Sequence, residues 1–146
     1  MTFTSNSSDE TKNIGYQIGK LLRPGNVVGL YGELGSGKTM LIKGIARALG
    51  INEREIMSAS FTIIAEYNTI PHFNHIDLYR VEKESELDEI GLWDHIRNDT
   101  ISVIEWAEKI DKELPHDTIR VRLKSLGVNI REITVEGKDE KHWNNM

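Results

Sequence analysis

The residues with the clearest chemical meaning are 32–39, which read GELGSGKT and fit the pattern G-x-x-x-x-G-K-[ST]. A short apolar run precedes them, and apolar residues at helical spacing follow from Met40 onward. Glycines relax the backbone restrictions that a Cβ imposes, so successive N–H groups can point into one anion-binding nest. The N-terminus of the following helix adds its positive dipole end. This order of strand, glycine loop and helix predicts a phosphate-binding loop.

Within this loop, Lys38 is expected to reach the β and γ phosphates of a nucleotide, and the Thr39 hydroxyl is expected to coordinate Mg²⁺. The alternative is an ordinary glycine-containing turn, and a random chain of this length would match the pattern roughly one time in two hundred. We therefore favour phosphate binding. The predicted contacts to the nucleotide from this segment are Gly32, Glu33, Leu34, Gly35, Ser36, Gly37, Lys38, Thr39 and Met40.

Two acidic residues follow predicted strands. The apolar run 101–104 leads into Glu105, the pattern of a Walker B element, whose carboxylate completes a magnesium site opposite Thr39. Asp77 emerges where the strand carrying HIDLYR ends, and it is either a carboxylate near Mg²⁺ or a cap or surface residue. Trp106 either lines the nucleotide pocket or is a core aromatic.

Hydroxyl side chains also lie after the helix that follows the phosphate loop. The stretch 58–64 reads SASFTII and places Ser58, Ser60 and Thr62 at the entry to a strand. Such hydroxyls can contact a γ-phosphate or its Mg²⁺ and register whether the nucleotide is cleaved. The alternative, that they are merely strand and turn hydroxyls, is equally compatible with their position.

Composition restricts the class of protein. The 146 residues with 38% hydrophobic content suit one domain spanning 1–146, with a polar tail from about residue 137 that is expected to fray. The chain has no run of membrane-spanning length and no signal-peptide pattern, so we expect a cytoplasmic protein. Cysteine is absent, and the five histidines lack zinc-binding spacing, so neither disulfides nor a zinc site is expected. The net charge of -5 argues against a broad basic surface, so any contact with RNA is expected to be indirect.

The element pattern predicts an α/β fold, specifically a three-layer P-loop NTPase fold with a mostly parallel central sheet and a C-terminal antiparallel hairpin at its edge. Ser7 and Glu10 form a plausible capping box for a first helix that ends near Arg23. The other predicted features are a hairpin turn at 68–71, a short helix capped by Ser85, a helix over 107–114, and hairpin strands joined through 125–127.

The base recognised is expected to be adenine. Guanine specificity usually requires N-K-x-D, and the nearest stretch, 108–111, has glutamate in the first position. The D-x-x-G match at 88–91 lies inside a predicted charged amphipathic helix and not at a strand end, so we interpret it as accidental.

A small-molecule kinase remains an alternative, although the chain shows no long lid insertion before the Glu105 strand and its arginines are scattered. A nucleotide-gated binding module is a third reading, because one pocket serves both binding and hydrolysis.

Five motifs in this order, GELGSGKT, SASFTII, HIDLYR, ELDEIGLWD and VIEWAEK, make residues 8–125 closely resemble the TsaE (YjeE) family of small bacterial P-loop ATPases. The resemblance implies Mg²⁺-dependent ATP binding and hydrolysis in support of the TsaD and TsaB proteins. Those proteins transfer the threonylcarbamoyl group that makes threonylcarbamoyladenosine beside the tRNA anticodon. Contact with tRNA would then pass through that complex.

The resemblance also implies residue roles by motif position. Lys38 would stabilise the charge that develops during cleavage, Thr39 and Glu105 would hold Mg²⁺, and Asp77 would support hydrolysis. The remaining matches are Ser58, Ser60 and Thr62 to the family's S-P-T-[FY]-T switch loop and Trp106 to its tryptophan near the nucleotide.

The sequence departs from the family pattern at two prolines, which are replaced by Ala59 in the switch loop and Ala107 after Glu105-Trp106. Neither change removes a chemical group, so activity is expected to survive. No side chain is an obvious strong base or arginine finger, which indicates a slow free enzyme whose site a partner completes.

Overall fold

The computed structural model describes residues 1–56, 63–138, 140–144 and 146. The described residues form an α/β fold in which seven strands make one sheet. The strands are β1 Thr2–Ser5, β2 Val27–Tyr31, β3 Ile64–Tyr67, β4 His72–Asp77, β5 Thr100–Glu105, β6 Ile119–Ser125 and β7 Arg131–Glu136. The helices are α1 Ser8–Leu21, α2 Lys38–Ala48, α3 Glu84–Glu89, α4 Leu92–His95 and α5 Glu140–Trp143, with 3₁₀ helices at Glu53–Glu55 and Ala107–Glu113.

The sheet has the order β1-β7-β6-β2-β5-β4-β3. Its four central strands are parallel, pairing β6 with β2, β2 with β5 and β5 with β4. The flanking pairs, β1 with β7, β7 with β6 and β4 with β3, are antiparallel. The predicted mostly parallel sheet is therefore wrong, and the sheet is mixed. The antiparallel hairpin of β6 and β7 is present, but it is not at the edge, because β1 covers β7.

Both faces of the sheet carry apolar clusters, since successive side chains of a strand point to opposite faces. In β2, Val28 and Leu30 join the cluster that contains the buried residues of α1 and α2. Val27 and Tyr31 join the cluster formed with α3, α4 and the second 3₁₀ helix. The helices on both faces hold β2 in the centre, and the phosphate-loop sequence begins where β2 ends.

The predicted start of helix α1 is confirmed, because Ser7 is its N-cap, and the helix ends at Leu21, close to the predicted end near Arg23. The Ser7 side chain accepts a hydrogen bond from the Glu10 N–H at 3.1 Å. The Glu10 carboxylate accepts from the N–H of Asn6, one residue before the position that a capping box requires. The helix ends at Leu21, ahead of Pro24, which cannot donate a backbone hydrogen bond.

Strand β1 and the burial of Trp143 were not predicted from the sequence, and the cap assigned to Ser85 was wrong. The polar start contains strand β1, whose Thr2 pairs with Thr134 of β7. In the tail, Trp143 is 1% exposed and packs into the core. Helix α3 begins at Glu84 with Lys83 as N-cap, so Ser85 is inside the helix, because the Glu86 carboxylate caps the preceding backbone.

The helical segment after Glu105 is present as a 3₁₀ helix over Ala107–Glu113 with a break at Ile110. The hairpin turn between β3 and β4 is also as predicted. No helix that the structure describes has the length and apolar character needed to cross a bilayer.

Candidate functional site

The glycines of the loop between β2 and α2 meet specific steric demands. A Cβ on Gly32 would lie 2.6 Å from the Ser36 hydroxyl oxygen and 2.7 Å from the carbonyl oxygen of Leu123, so no larger residue fits there. Gly37 is the N-cap of α2 and has a φ of +101°, in the left-handed region that favours glycine. The loop therefore combines close packing at Gly32 with a left-handed backbone conformation at Gly37.

A cavity of about 350 Å³ lies over this loop at the end of the parallel strands. Its lining brings together two predicted carboxylates, most of the predicted loop and the predicted tryptophan. The lining residues are Leu34, Gly35, Gly37, Lys38, Thr39, Met40, Asp77, Tyr79, Glu105 and Trp106.

Not every predicted contact lies in that cavity. Gly32, Glu33 and Ser36 line a separate cavity of about 400 Å³ beside the end of β6. Ser58, Ser60 and Thr62 lie outside the described residues. Their predicted role as a switch stays a prediction.

Lys38 is held across the loop and is only 6% exposed. Its ammonium group donates a hydrogen bond to the carbonyl of Gly32 and lies 3.5 Å from the centroid of the Trp106 ring. Burial lowers the pKa of Lys38, and the carboxylates of Glu108, Glu105 and Asp77 offset part of that effect. The cavity thus contains a largely buried lysine cation beside the glycine loop.

Asp77 and Glu105 end the neighbouring parallel strands β4 and β5, where they are direct register partners. Their side chains therefore lie on the same face and at the same edge of the sheet. Burial raises the pKa of Asp77, the backbone N–H of Tyr79 opposes this through a 3.0 Å hydrogen bond, and nearby Glu105 raises it further. The two strand ends place paired acids opposite the phosphate loop.

His75 is a site residue that the sequence analysis missed. It is 1% exposed, and its Nε2 atom lies 2.7 Å from Oε2 of Glu105. The signal was strand alternation: His75 and Asp77 are two residues apart in β4 and share the face on which Glu105 lies. The search for paired histidines at metal-binding spacing could not detect a histidine that contacts an acid on another strand.

Trp106 forms one wall of the cavity and also packs against the edge of the core. Its φ of +60° is unusual for a residue with a side chain, and it turns the chain sharply after Glu105. The ring lies 5.2 Å from that of Tyr79, centroid to centroid. Lys109 donates to the carbonyl oxygens of Tyr79 and Val81 at 2.7 and 2.9 Å, which fixes the neighbouring segment.

The oxygen ligands around Thr39 and Glu105 suit Mg²⁺, which prefers carboxylate and hydroxyl oxygens. The described parts of the chain contain no group of three or more His, Cys, Asp or Glu side chains placed to hold a metal ion. An ion at Thr39 and Glu105 would therefore take most of its ligands from phosphate and water, as Mg²⁺ commonly does.

Comparison with known proteins assigns the family. The family model for "Threonylcarbamoyl adenosine biosynthesis protein TsaE" matches residues 5–133, which include the phosphate loop and both acids. The chain belongs to the TsaE family. The resemblance seen in the sequence motifs is confirmed, and the matched range extends slightly beyond residues 8–125.

Individual TsaE relatives match most of the chain. It is 39% identical over 135 residues to the Treponema pallidum protein named tRNA threonylcarbamoyladenosine biosynthesis protein TsaE, covering 92% of this chain and 99% of that one. The Bacillus subtilis TsaE is 41% identical over 128 residues, covering 86% and 78%. The crystal structure of Bacillus subtilis YdiB superposes with a TM-score of 0.75 and 31% identity, covering 98% of this chain and 88% of that chain.

Proposed function

We propose that this TsaE family member binds ATP with Mg²⁺ and hydrolyses it in support of TsaD and TsaB during threonylcarbamoyladenosine modification of tRNA in the cytoplasm. The observation that carries this proposal is one cavity that unites the glycine loop, the Lys38 cation and the paired acids Asp77 and Glu105. Family membership supports the link to tRNA modification. Contact with tRNA passes through the partner proteins in this proposal. The proposal also assigns the helices and sheet to a three-layer P-loop NTPase fold.

Binding begins with the backbone. Free N–H groups of the glycine loop and of the first turn of α2 bind the phosphates in this proposal, and the helix dipole favours their negative charge. Lys38 exchanges its hydrogen bond with the Gly32 carbonyl for one with the phosphate chain. Because the ammonium group is shielded from water, its attraction for the phosphates is stronger than at an open surface.

Hydrolysis proceeds by attack of water on the γ-phosphate without a covalent intermediate, so positioning and electrostatic stabilisation do most of the work. Thr39 and Glu105 would hold Mg²⁺, which would neutralise charge on the phosphate oxygens when bound. Asp77 lies beside Glu105 and supports hydrolysis from the adjacent strand end. Among the described residues no arginine lines the cavity, which accounts for slow turnover until a partner completes the site.

The test is phosphate release from Mg-ATP by the purified chain, Lys38→Ala and Glu105→Gln, with Lys43→Ala as the matched lysine control on α2. We expect both site variants to lose at least about 100-fold in turnover, the usual loss when a preorganised charge-stabilising group is removed. Thermal unfolding should show that they remain folded, and Lys43→Ala should match the wild type. Full activity in either site variant would refute its assigned role.

The same assay separates the competing functions. Tight ATP binding without phosphate release, alone or with TsaD and TsaB, would identify a nucleotide-gated binding module. Transfer of the γ-phosphate to a metabolite in place of release to water would identify a small-molecule kinase.

A further inference from the structure

Arg131 connects two loops that are far apart in the sequence. Its Nη2 atom donates a hydrogen bond to the carbonyl oxygen of Gly35 in the phosphate loop at 3.1 Å, across 96 sequence positions. Its Nη1 atom donates to the carbonyl oxygens of Gly127 at 3.0 Å, Ile130 at 3.0 Å and Val128 at 3.4 Å, in the turn between β6 and β7. One planar guanidinium therefore bridges the phosphate loop and the hairpin turn.

The Gly35 carbonyl belongs to a peptide unit that is held by a hydrogen bond at each end. Gly35 has a φ of +80°, in the left-handed region that favours glycine, and a Cβ placed on it would meet no atom within 4 Å. The N–H of Ser36, in the same peptide unit, donates to the Glu33 carbonyl at 3.0 Å. Arg131 thus holds one end of a peptide whose other end closes the turn of the loop.

The support behind Arg131 is rigid. Its backbone pairs with Ser125 of β6 on one side and with Ser5 of β1 on the other. Its side-chain atoms also lie 3.5 to 3.7 Å from the position of a Cβ on Gly37, the N-cap of α2. The side chain therefore passes beside Gly37 and hydrogen-bonds to Gly35 of the phosphate loop from a backbone that is paired within the sheet.

The charge of Arg131 is not neutralised by an acid in the described part of the chain, where its hydrogen-bond acceptors are backbone carbonyls. A guanidinium has five donors in a fixed planar fork, whereas a lysine ammonium is a compact charge that cannot span the same acceptors. A lysine substitution therefore keeps the charge and removes the bridge.

We propose that Arg131 is a positioning residue that holds the phosphate loop in its nucleotide-binding shape by bridging the Gly35 carbonyl to the β6–β7 turn. This inference rests on the proposed function of the loop. Arg131 acts through the backbone of the loop, so the reaction chemistry remains with the residues that line the cavity.

The direct test is hydrogen exchange of the nucleotide-free protein, compared among wild type, Arg131→Lys, Arg131→Gln and the control Arg122→Gln. Arg122 lies on β6 of the same hairpin and pairs with Glu136 at 3.3 Å. We expect amides of residues 33–37 to exchange about tenfold faster in both Arg131 variants, with β5 unchanged and the control like wild type. Unchanged loop exchange in Arg131→Gln would overturn the proposal, and so would equal acceleration in β5, which would indicate global destabilisation.

The second test is affinity for a fluorescent ADP analogue in the same four proteins. Loss of the bridge should weaken binding of the ADP analogue about fivefold to tenfold in both Arg131 variants, because the loop must then be ordered when the nucleotide binds. For the same reason, the KM for ATP should rise more than kcat falls. If Arg131→Lys bound the ADP analogue with wild-type affinity, the positive charge alone would be sufficient, and this result would overturn the proposal that the guanidinium bridge positions the loop. Failure of the wild type to bind any nucleotide would refute the proposed function, whereas the exchange measurement needs no nucleotide and tests the bridge separately.

Discussion

Glu105, the residue proposed to hold Mg²⁺, contacts a buried histidine that can fix its orientation. Its Oε2 atom contacts the buried His75 ring at 2.7 Å, and Glu105 itself is 6% exposed. A metal-binding carboxylate is commonly oriented by an outer partner of this kind, which leaves the other oxygen free to coordinate. The His75 contact therefore belongs to the proposed magnesium site.

Replacement of His75 should weaken metal binding at that site, while the nucleotide should still bind in the cavity. His75→Leu removes the partner of a buried carboxylate, and we expect Mn²⁺ affinity in the presence of ADP to fall about 10- to 100-fold. His75→Gln restores a polar group near the same place and should recover part of the loss. Electron paramagnetic resonance of bound Mn²⁺ measures this directly, and unchanged affinity in His75→Leu would remove His75 from the site.

At the residue scale, the sequence predicted those candidate site residues that belong to a local sequence motif. Lys38 and Thr39 follow from the glycine pattern, and Glu105 follows from the apolar strand before it. His75 required knowledge of which strands are neighbours. Arg131 gave no local signal at all, because its contact with Gly35 joins positions 96 residues apart.

At the scale of elements, the close contact of α1 with α2 fixes the helix that follows the phosphate loop. A Cβ on Gly44 would lie 1.9 Å from the carbonyl oxygen of Lys12, and one on Gly15 would lie 2.1 Å from that of Leu41. These obstacles are backbone atoms, so a side chain cannot simply turn away. The two glycines allow the helices to approach backbone to backbone.

Gly44→Ala should therefore destabilise the protein strongly, although alanine is the better helix former. We expect the free energy of unfolding to fall by at least about 3 kcal/mol, because the helices must separate to admit the methyl group. Urea denaturation measures the change. Lys43→Ala, one position earlier on α2, should stay close to wild type, and a Gly44→Ala protein as stable as wild type would contradict the packing described.

A second inter-element contact joins β2, β6 and the second 3₁₀ helix. The Tyr31 hydroxyl donates to Asp111, and Arg120 donates to the same carboxylate at 3.1 Å. The hydrogen bond from Tyr31, followed by that from Arg120, lowers the pKa of Asp111. Burial, together with the Asp111 interaction, raises the pKa of Tyr31 to about 12.

The lowered pKa of Asp111 gives the direction of a pH dependence. Its stabilising contribution is complete above the unfolded-state pKa of about 4 and is lost as the pH falls through the lower folded-state pKa. Asp111→Asn lacks this contribution, so the stability difference from wild type should be largest near neutral pH and shrink in acid.

The free energy of unfolding, measured by chemical denaturation from pH 7 down to the lowest pH at which the protein is still folded, would show this trend. Asp117→Asn, which changes an exposed acid, serves as the control. A difference between wild type and Asp111→Asn that stays constant with pH would contradict the assignment.

At the scale of the whole molecule, both ends of the chain complete the same flank of the structure. The Met1 amino group donates to the Val135 carbonyl at 3.0 Å, and the Trp143 indole donates to that of Gly137 at 3.0 Å. The α/β class and the parallel centre were predictable from alternating strand and helix patterns. The antiparallel pairs β3–β4 and β6–β7 were predictable as hairpins. Strand β1 was not, because it is short and polar and gains its structure only by pairing with β7.

The central claim concerns the protein within its modification complex, so the most direct measurement is threonylcarbamoyladenosine formed in tRNA by TsaD, TsaB and the threonylcarbamoyl donor. The reaction is run with ATP and with this chain or its Lys38→Ala variant. The proposed function predicts that the wild-type chain increases both modified tRNA and phosphate release, and that Lys38→Ala increases neither. Equal yields of modified tRNA with the wild type, with Lys38→Ala and without the chain would contradict it.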